Sequence, residues 1–335
     1  MKPSLKAAKH RKILLNIDKL WYTHHPLRWL LWPVAQGYKV ITVVRRFYLS
    51  RFCQQQFSVP VIVIGNLTVG GVGKTPLVIA LAKEIQVKGL RVGIVSRGYG
   101  AAIKQFPHEV SPDDEAKLVG DESLLLARKT ACPVVIAPKR TQAVQYLLDK
   151  YKCEIIISDD GLQHYAMGRA VEIVVIDGMR GLGNGLCLPA GPLRETPKRL
   201  RKSDLVVINN GEWPGGYSMI LESGRLTNIL TGQEINKESL AAPIAAVAAI
   251  GHPQRFFTTL HNLGISFKKY PFPDHHNFQP HELQFKEKTV VMTEKDAVKC
   301  QSFAANSWYF LPVEAKLSDA FWQALWSHEQ LQGII

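Results

Sequence analysis

Little in this chain of 335 residues points to the cell exterior. Its five cysteines, Cys53, Cys132, Cys153, Cys187 and Cys300, are odd in number, far apart and without a Cys-x-x-Cys pair. That excludes a disulfide framework and a zinc site as organising devices and fits a reducing cytoplasm. No stretch reaches the ~18 uninterrupted apolar residues of a membrane span, because Arg28, Pro33, Gln36 and Lys39 break the most apolar part of the first fifty. A secretory signal is not expected either, since no clean apolar core ends in a small-residue cleavage site. Internal repeats and low-complexity tracts are missing. Acids are scarce only at the start, where residues 1–51 hold eleven Lys or Arg against one acid, Asp18, and so carry ten of the +13 net charge. The remainder is close to balanced, which argues against nucleic acid as a partner.

What is present begins with Val61-Ile-Val-Ile-Gly-Asn-Leu-Thr-Val-Gly-Gly-Val-Gly-Lys-Thr-Pro76. A β-branched run breaks into a glycine-rich loop, and an apolar helix pattern from Leu77 follows. In such a loop successive backbone N–H groups turn inward on an anion. Lys74 adds a point charge for the phosphates, and the Thr75 hydroxyl can ligate Mg²⁺. Gly70, Gly71, Val72, Gly73, Lys74, Thr75 and Pro76 are therefore the candidate nucleotide contacts. The usual first glycine of the spacing is replaced by Thr68, with Gly65, Gly70 and Gly71 supplying flexibility instead.

Strand-like runs then alternate with helical ones, the pattern of a mostly parallel sheet wound with helices. Strands are expected at 59–64, 92–95, 134–136, 155–157, 171–176 and 205–208, and helices at 77–88, 121–130 and 141–150. Turn formers cluster at Gly211-Glu-Trp-Pro-Gly-Gly216, which suggests a boundary. The expected organisation is a basic leader at 1–56, a phosphate-loop core at 57–212 and a smaller α/β domain at 213–335. The last carries strands at 244–250 and 289–292 and a closing helix at 317–326.

The leader adds Trp21, Tyr22, Trp29, Trp32, Tyr38, Phe47 and Tyr48 to its basic residues. Leu30, Leu31, Val34, Tyr38, Ile41 and Val44 recur at helical spacing. The combination suits an amphipathic helix on an anionic membrane surface, and equally a helix packed on its own domain.

Several groups could carry chemistry. Glu154-Ile-Ile-Ile-Ser-Asp159-Asp160 delivers two acids at a strand end, where a nucleotide site needs carboxylates for Mg²⁺. Asp121 opens a helix and reads either as a cap or as a general base for a hydroxyl. Asp274-His275-His276 sets a carboxylate beside two imidazoles that point in different directions, so at most one should face a given site. Ser96-Arg97-Gly-Tyr99-Gly100 and Gly191-Pro-Leu-Arg194-Glu195 offer guanidinium and aromatic contacts for an anionic or sugar substrate, or are turns with solvated arginines.

Taken together, Gly65 to Pro76, Ser96 to Gly100, Gly120-Asp-Glu122, Asp159-Asp-Gly-Leu-Gln-His164, Ala190-Gly-Pro-Leu-Arg-Glu195, Asp274-His-His276 and Thr293-Glu-Lys-Asp296 resemble the tetraacyldisaccharide 4'-kinase family, the lipid A 4'-kinases of Gram-negative bacteria. The resemblance runs from about Trp21 to the last helix. It implies phosphoryl transfer from ATP to the 4'-hydroxyl of an acylated glucosamine disaccharide 1-phosphate at the cytoplasmic face of the inner membrane, with no obligate protein partner. It also implies two α/β domains closing over ATP and an N-terminal helix resting on the membrane. Lys74 and Thr75 would hold the phosphates and Mg²⁺, Asp159 and Asp160 would complete the metal site, and Asp121 would act as base with His275 as its partner. Arg97, Tyr99, Gln163, His164 and Arg194 are the expected substrate contacts. The lysine-rich first twenty residues extend beyond the usual family start. A membrane-associated switch ATPase of the partitioning type is the alternative, but Val69 stands where that class carries its signature lysine, and the 159–164 and 274–276 groupings would go unexplained.

Overall fold

The computed structural model describes residues 17–23 and 25–334. Most of the basic extension, residues 1–16, lies outside the described residues. Apolar β-branched runs build two sheets. The larger takes β1 (Val61–Gly65), β2 (Val92–Ser96), β3 (His108–Val110), β4 (Val134–Ile136), β5 (Ile155–Ser158), β6 (Val171–Asp177), β7 (Leu205–Asn209), β8 (Tyr217–Ser223) and β15 (Val313–Leu317). Their order is β15-β8-β7-β6-β1-β5-β2-β4-β3. Only the two edge strands run antiparallel to their neighbours. The smaller sheet takes β9 (Leu226–Asn228), β10 (Glu234–Ile235), β11 (Ile244–Ala248), β12 (Lys268–Pro271), β13 (Thr289–Thr293) and β14 (Trp308–Leu311), in the order β10-β9-β14-β13-β11-β12.

The helices are α1 (Leu27–Phe52), α2 (Lys74–Val87), α3 (Ala116–Val119), α4 (Asp121–Thr130), α5 (Arg140–Tyr151), α6 (Pro253–Asn262), α7 (Glu294–Cys300) and α8 (Asp319–Trp326). The large sheet is covered on both faces, so its central strands are near-continuous apolar runs rather than alternating, with the buried Glu172 of β6 paired to Arg169 and Arg199. Ile62 and Ile64 of β1 point to the face packed by α2, α4 and α8, while Val61 and Val63 point to the face packed by α5. The smaller sheet is covered likewise, by α7 on one face and α6 on the other.

The chain changes sheet after β8, not at residue 212, and returns to the first sheet at β15. The turn-former cluster at 211–216 is a connection within the large sheet, joining β7 to its parallel neighbour β8. Likewise α8 packs on the large sheet, with Phe321 and Leu325 fully buried in its core. A break in composition marks a turn here, and the longer excursion comes one strand later.

Helix α1 divides its apolar residues between two surroundings. Ala35 is buried and Leu31, Tyr38, Thr42, Arg46 and Leu49 are half-buried against the protein, spaced as one helical row. Leu30, Val34, Ile41 and Val44, which the sequence pattern groups with Tyr38, are instead exposed, together with Trp29, Trp32, Val40, Val43, Phe47, Tyr48 and Phe52. Tyr38 belongs to the inward row because residues three and four apart share a face. Among the described residues no helix is long and apolar enough to cross a membrane.

Candidate active site

The C-terminal ends of the parallel strands and the facing edge of the second lobe enclose one cleft of about 1150 Å³. Ligands of open α/β sheets bind at this end of the strands. The phosphate loop lies on its floor: Gly70, Gly71, Val72, Gly73, Lys74, Thr75 and Pro76 all line it. The loop ends in Gly73, the residue before α2, with φ +91°. A Cβ at that position would sit 2.5 Å from Nδ2 of Asn209, and that amide donates to the Val72 carbonyl at 2.9 Å.

Thr68 needs no glycine's freedom because it is extended and bridges to Leu193. Asn66 organises the turn instead. Its Nδ2 donates to the carbonyls of Thr68 and Gly70, and its Oδ1 accepts from Lys74 Nζ at 3.2 Å. Asn66 and Asn209 were not singled out from the sequence, since a polar residue after a strand has no signature until its partners are known; the Leu193 segment reads in the sequence as a substrate loop, and its bridge to Thr68 is what the fold adds.

Asp159 and Asp160 leave β5 into the cleft. Lys74 Nζ lies 3.4 Å from Asp160, and Arg194 donates to it at 3.2 Å, which together hold this carboxyl below the usual range against the opposing effect of burial. Asp159 differs. Its Oδ2 reaches Ser96 at 3.5 Å, while its buried Oδ1 has no hydrogen-bond partner among the described residues. Burial first, then the Glu122 carboxylate, raise its pKa to about 7 against the pull of Lys74. A buried carboxylate beside a second acid and short of a donor suits a hard cation. No group of three or more His, Cys, Asp or Glu among the described residues could hold an ion alone. Mg²⁺ here would share its shell with phosphate oxygens, as it commonly does.

Asp121 is the first residue of α4, and the cap position ahead of it is Gly120. Its carboxylate faces the second lobe, where His275 Nδ1 lies 3.0 Å from Oδ2 and 3.1 Å from Oδ1. Lys295 and Lys299 stand 3.9 and 4.0 Å away. Burial alone would raise the Asp121 pKa, but the His275 hydrogen bond and the Lys295 and Lys299 ammonium groups outweigh it and bring it to about 2. The same hydrogen bond raises the His275 pKa, opposed by burial and by Lys295. His276 turns away to Glu282, at 2.9 Å.

Arg97, Tyr99, Gln163 and Arg194 line the cleft. Gln163 bridges the Arg194 guanidinium and Glu195, and the Tyr99 ring lies 5.1 Å from that of His275. His164 does not line the cleft. Burial, followed by the charges of Arg140, Arg169, Arg45 and Arg97, lowers its pKa to about 4. Arg140, Glu122, Lys295 and Arg255 line the cleft without having been picked out as site residues. Arg140 is buried at the start of α5, with Nε unpaired among the described residues. Arg255 reaches across the lobes to Asp177, at 2.5 Å.

A phosphate loop and an acid–imidazole pair supplied by two different lobes, facing one cleft, agree with what comparison with known proteins finds. The sequence pattern described as tetraacyldisaccharide-1-P 4'-kinase matches residues 27–330. The chain belongs to this family. A tetraacyldisaccharide 4'-kinase of Legionella pneumophila (strain Lens) is 61% identical over 317 residues, covering 95% of this chain and 98% of that protein. One from Hahella chejuensis is 44% identical over 318 residues, covering 92% and 94%. Among solved structures, LpxK from Aquifex aeolicus in complex with ATP superposes with a TM-score of 0.77 at 29% identity, covering 91% of this chain and 99% of that one.

Proposed function

We propose that this protein is an ATP-dependent kinase that phosphorylates the 4'-hydroxyl of a tetraacyl glucosamine disaccharide 1-phosphate, a step of lipid A synthesis. The observation that carries this reading is the Asp121–His275 pair, which joins the two lobes at the same cleft that the phosphate loop floors. A switch ATPase needs no such pair for its water.

In this reading Lys74 and the loop amides hold the ATP phosphates, and the acceptor hydroxyl lies against Asp121. As the bond from the γ-phosphorus to the ADP oxygen breaks, the hydroxyl oxygen bonds to phosphorus and its proton passes to Asp121. A carboxylate held near pKa 2 is a weak base. That suffices where the transition state is loose and the work is positioning and charge neutralisation. Thr75 and Asp159, with Asp160 beside them, would hold Mg²⁺. The ion would neutralise phosphate charge when bound.

Arg97, Tyr99, Gln163 and Arg194 line the cleft, and in this reading they contact the sugar phosphate. Tyr38, Thr42 and Arg45 of α1 line the cleft too, so the helix that exposes eleven other large apolar or aromatic side chains beyond Leu27 borders the active site. Such a surface would rest on the cytoplasmic face of the inner membrane, where an acylated acceptor resides. We assign the lobes as 57–223 with 313–334, and 226–311, with α1 as the docking element.

The test is incubation with γ-labelled ATP and total lipid extract. Label in a glycolipid is expected, and its absence with ATP still consumed would overturn the assignment.

A further inference from the structure

Lys295 occupies a place in the cleft that the proposed chemistry does not yet use. It is the second residue of α7, in Thr293-Glu-Lys-Asp296. The helix start is rigid: the Thr293 side chain accepts from the Asp296 backbone N–H, and the fully buried Asp296 carboxylate accepts from the Ala249 N–H. From this anchored position Lys295 Nζ crosses between lobes and lies 2.9 Å from Glu122 Oε1, 3.3 Å from His275 Nε2, and 3.9 Å from both Asp121 and Asp274.

Two of these contacts bear on where the His275 proton sits. An ammonium has donors only, so a hydrogen bond between Lys295 and Nε2 requires that nitrogen to accept. An ionised carboxylate has acceptors only, so the contact between Asp121 and Nδ1 requires that nitrogen to donate. Both demands are met by one species, the neutral ring protonated on Nδ1. The Asp121 hydrogen bond raises the His275 pKa and so favours an imidazolium, but that form would turn its Nε2–H towards the Lys295 ammonium at 3.3 Å, with the Asp274 carboxylate farther off at 3.9 Å; the other neutral tautomer would face Asp121 with a lone pair.

We propose that Lys295 is a positioning residue that selects the Nδ1–H form of His275, so that the ring presents its proton to Asp121 and leaves both carboxylate oxygens oriented for the acceptor hydroxyl. Its ion pair with Glu122, the residue after Asp121, makes that selection depend on the two lobes being together. The proposal rests on Asp121 being the base. It is read from the ring itself, so its failure and the failure of that assignment are separable.

The experiment uses full-length protein labelled with ¹⁵N-histidine in detergent micelles near neutral pH, with His275→Gln identifying the ring resonances. Wild type is expected to show Nδ1 protonated and Nε2 bare. In Lys295→Met the ring should become an imidazolium or a tautomer mixture, and kcat should fall at least about tenfold, with the KM for ATP changed less than about threefold, since Lys295 is expected to act on the base and not on nucleotide binding. Lys295→Arg, which also offers donors only, should keep the wild-type ring form and recover much of kcat. An imidazolium or Nε2–H ring in wild type overturns the proposal. So does a loss of kcat in Lys295→Met with the ring unchanged, which would make Lys295 a tether between lobes and no more. Should Lys295→Met fail to fold, the ring in wild type and in Lys295→Arg decides, with Nδ1–H expected in both and any other form in either counting against it.

Discussion

Replacing Gly73 by alanine perturbs the phosphate loop at its tightest point. The backbone there has φ +91°, and holding an L-residue in left-handed torsions costs about 1–2 kcal/mol. The new methyl would lie 2.5 Å from Asn209 Nδ2, so Asn209 must move and give up its bond to the Val72 carbonyl, worth about 1 kcal/mol. If the loop conformer that cradles phosphate bears a combined cost of about 2 kcal/mol or more, the Kd for ATP rises at least about 30-fold. Asn209→Ala separates the two parts. It removes the anchor, leaves the torsion untouched, and should raise Kd only about fivefold. Titration with a fluorescent ATP analogue reads both, alongside a thermal melt to confirm folding. A Kd for Gly73→Ala within about threefold of wild type, in folded protein, would refute the reasoning.

Other expectations follow from the same geometry. Asp121→Asn keeps the size of the side chain but removes its basicity, and kcat should fall at least about 100-fold, with little change in ATP affinity; a loss under about tenfold would remove Asp121 from the role of base. Because the Asp121 pKa is lowered in the folded protein to about 2 from 3.8, its ionised form stabilises the joined lobes above about pH 4. That contribution, about 2 kcal/mol, is lost as pH falls from 4 to 2. His275→Gln removes the hydrogen bond responsible, so its acid unfolding midpoint should lie at higher pH than that of wild type, and coincident midpoints would contradict the pairing. Converting the exposed Leu30, Ile41 and Val44 of α1 to Asp should weaken binding to anionic vesicles at least about 100-fold, since each buried aliphatic contributes about 1.5–3 kcal/mol. Unchanged sedimentation with vesicles would show that another surface docks.

The core strands were legible because period and flanking turns specify them locally. The spans expected at 134–136 and 121–130 coincide with β4 and α4, and the other expected strands of the large sheet differ by a residue or two at their ends. What was not legible depends on partners far away in sequence. Strand β8 pairs with the edge strand β15 across some ninety residues; β8 does not alternate, and β15, Val313-Glu-Ala-Lys-Leu317, alternates over only five residues. In the site, the phosphate loop and the acid pair after β5 are local signals, because the chemistry needs those residue types next to each other. The contact of Asp121 with His275 spans 154 positions, and no spacing rule could supply it; resemblance to a family did. Lys295 and Asn66 act through residues they touch only in the folded chain. His164 is the converse case, a motif residue that does not line the cleft and whose pKa is lowered by burial and nearby arginine charges.

The central claim is that this cleft moves a phosphoryl group to a lipid-borne sugar hydroxyl. The direct measurement offers a defined tetraacyl glucosamine disaccharide 1-phosphate in mixed micelles with γ-labelled ATP and Mg²⁺, and locates the product phosphate by ³¹P and ¹H NMR. A second phosphate on the 4' oxygen is expected, with none formed on the 4'-deoxy analogue. ATP consumed with label only in free phosphate, or product from the deoxy analogue, would contradict it.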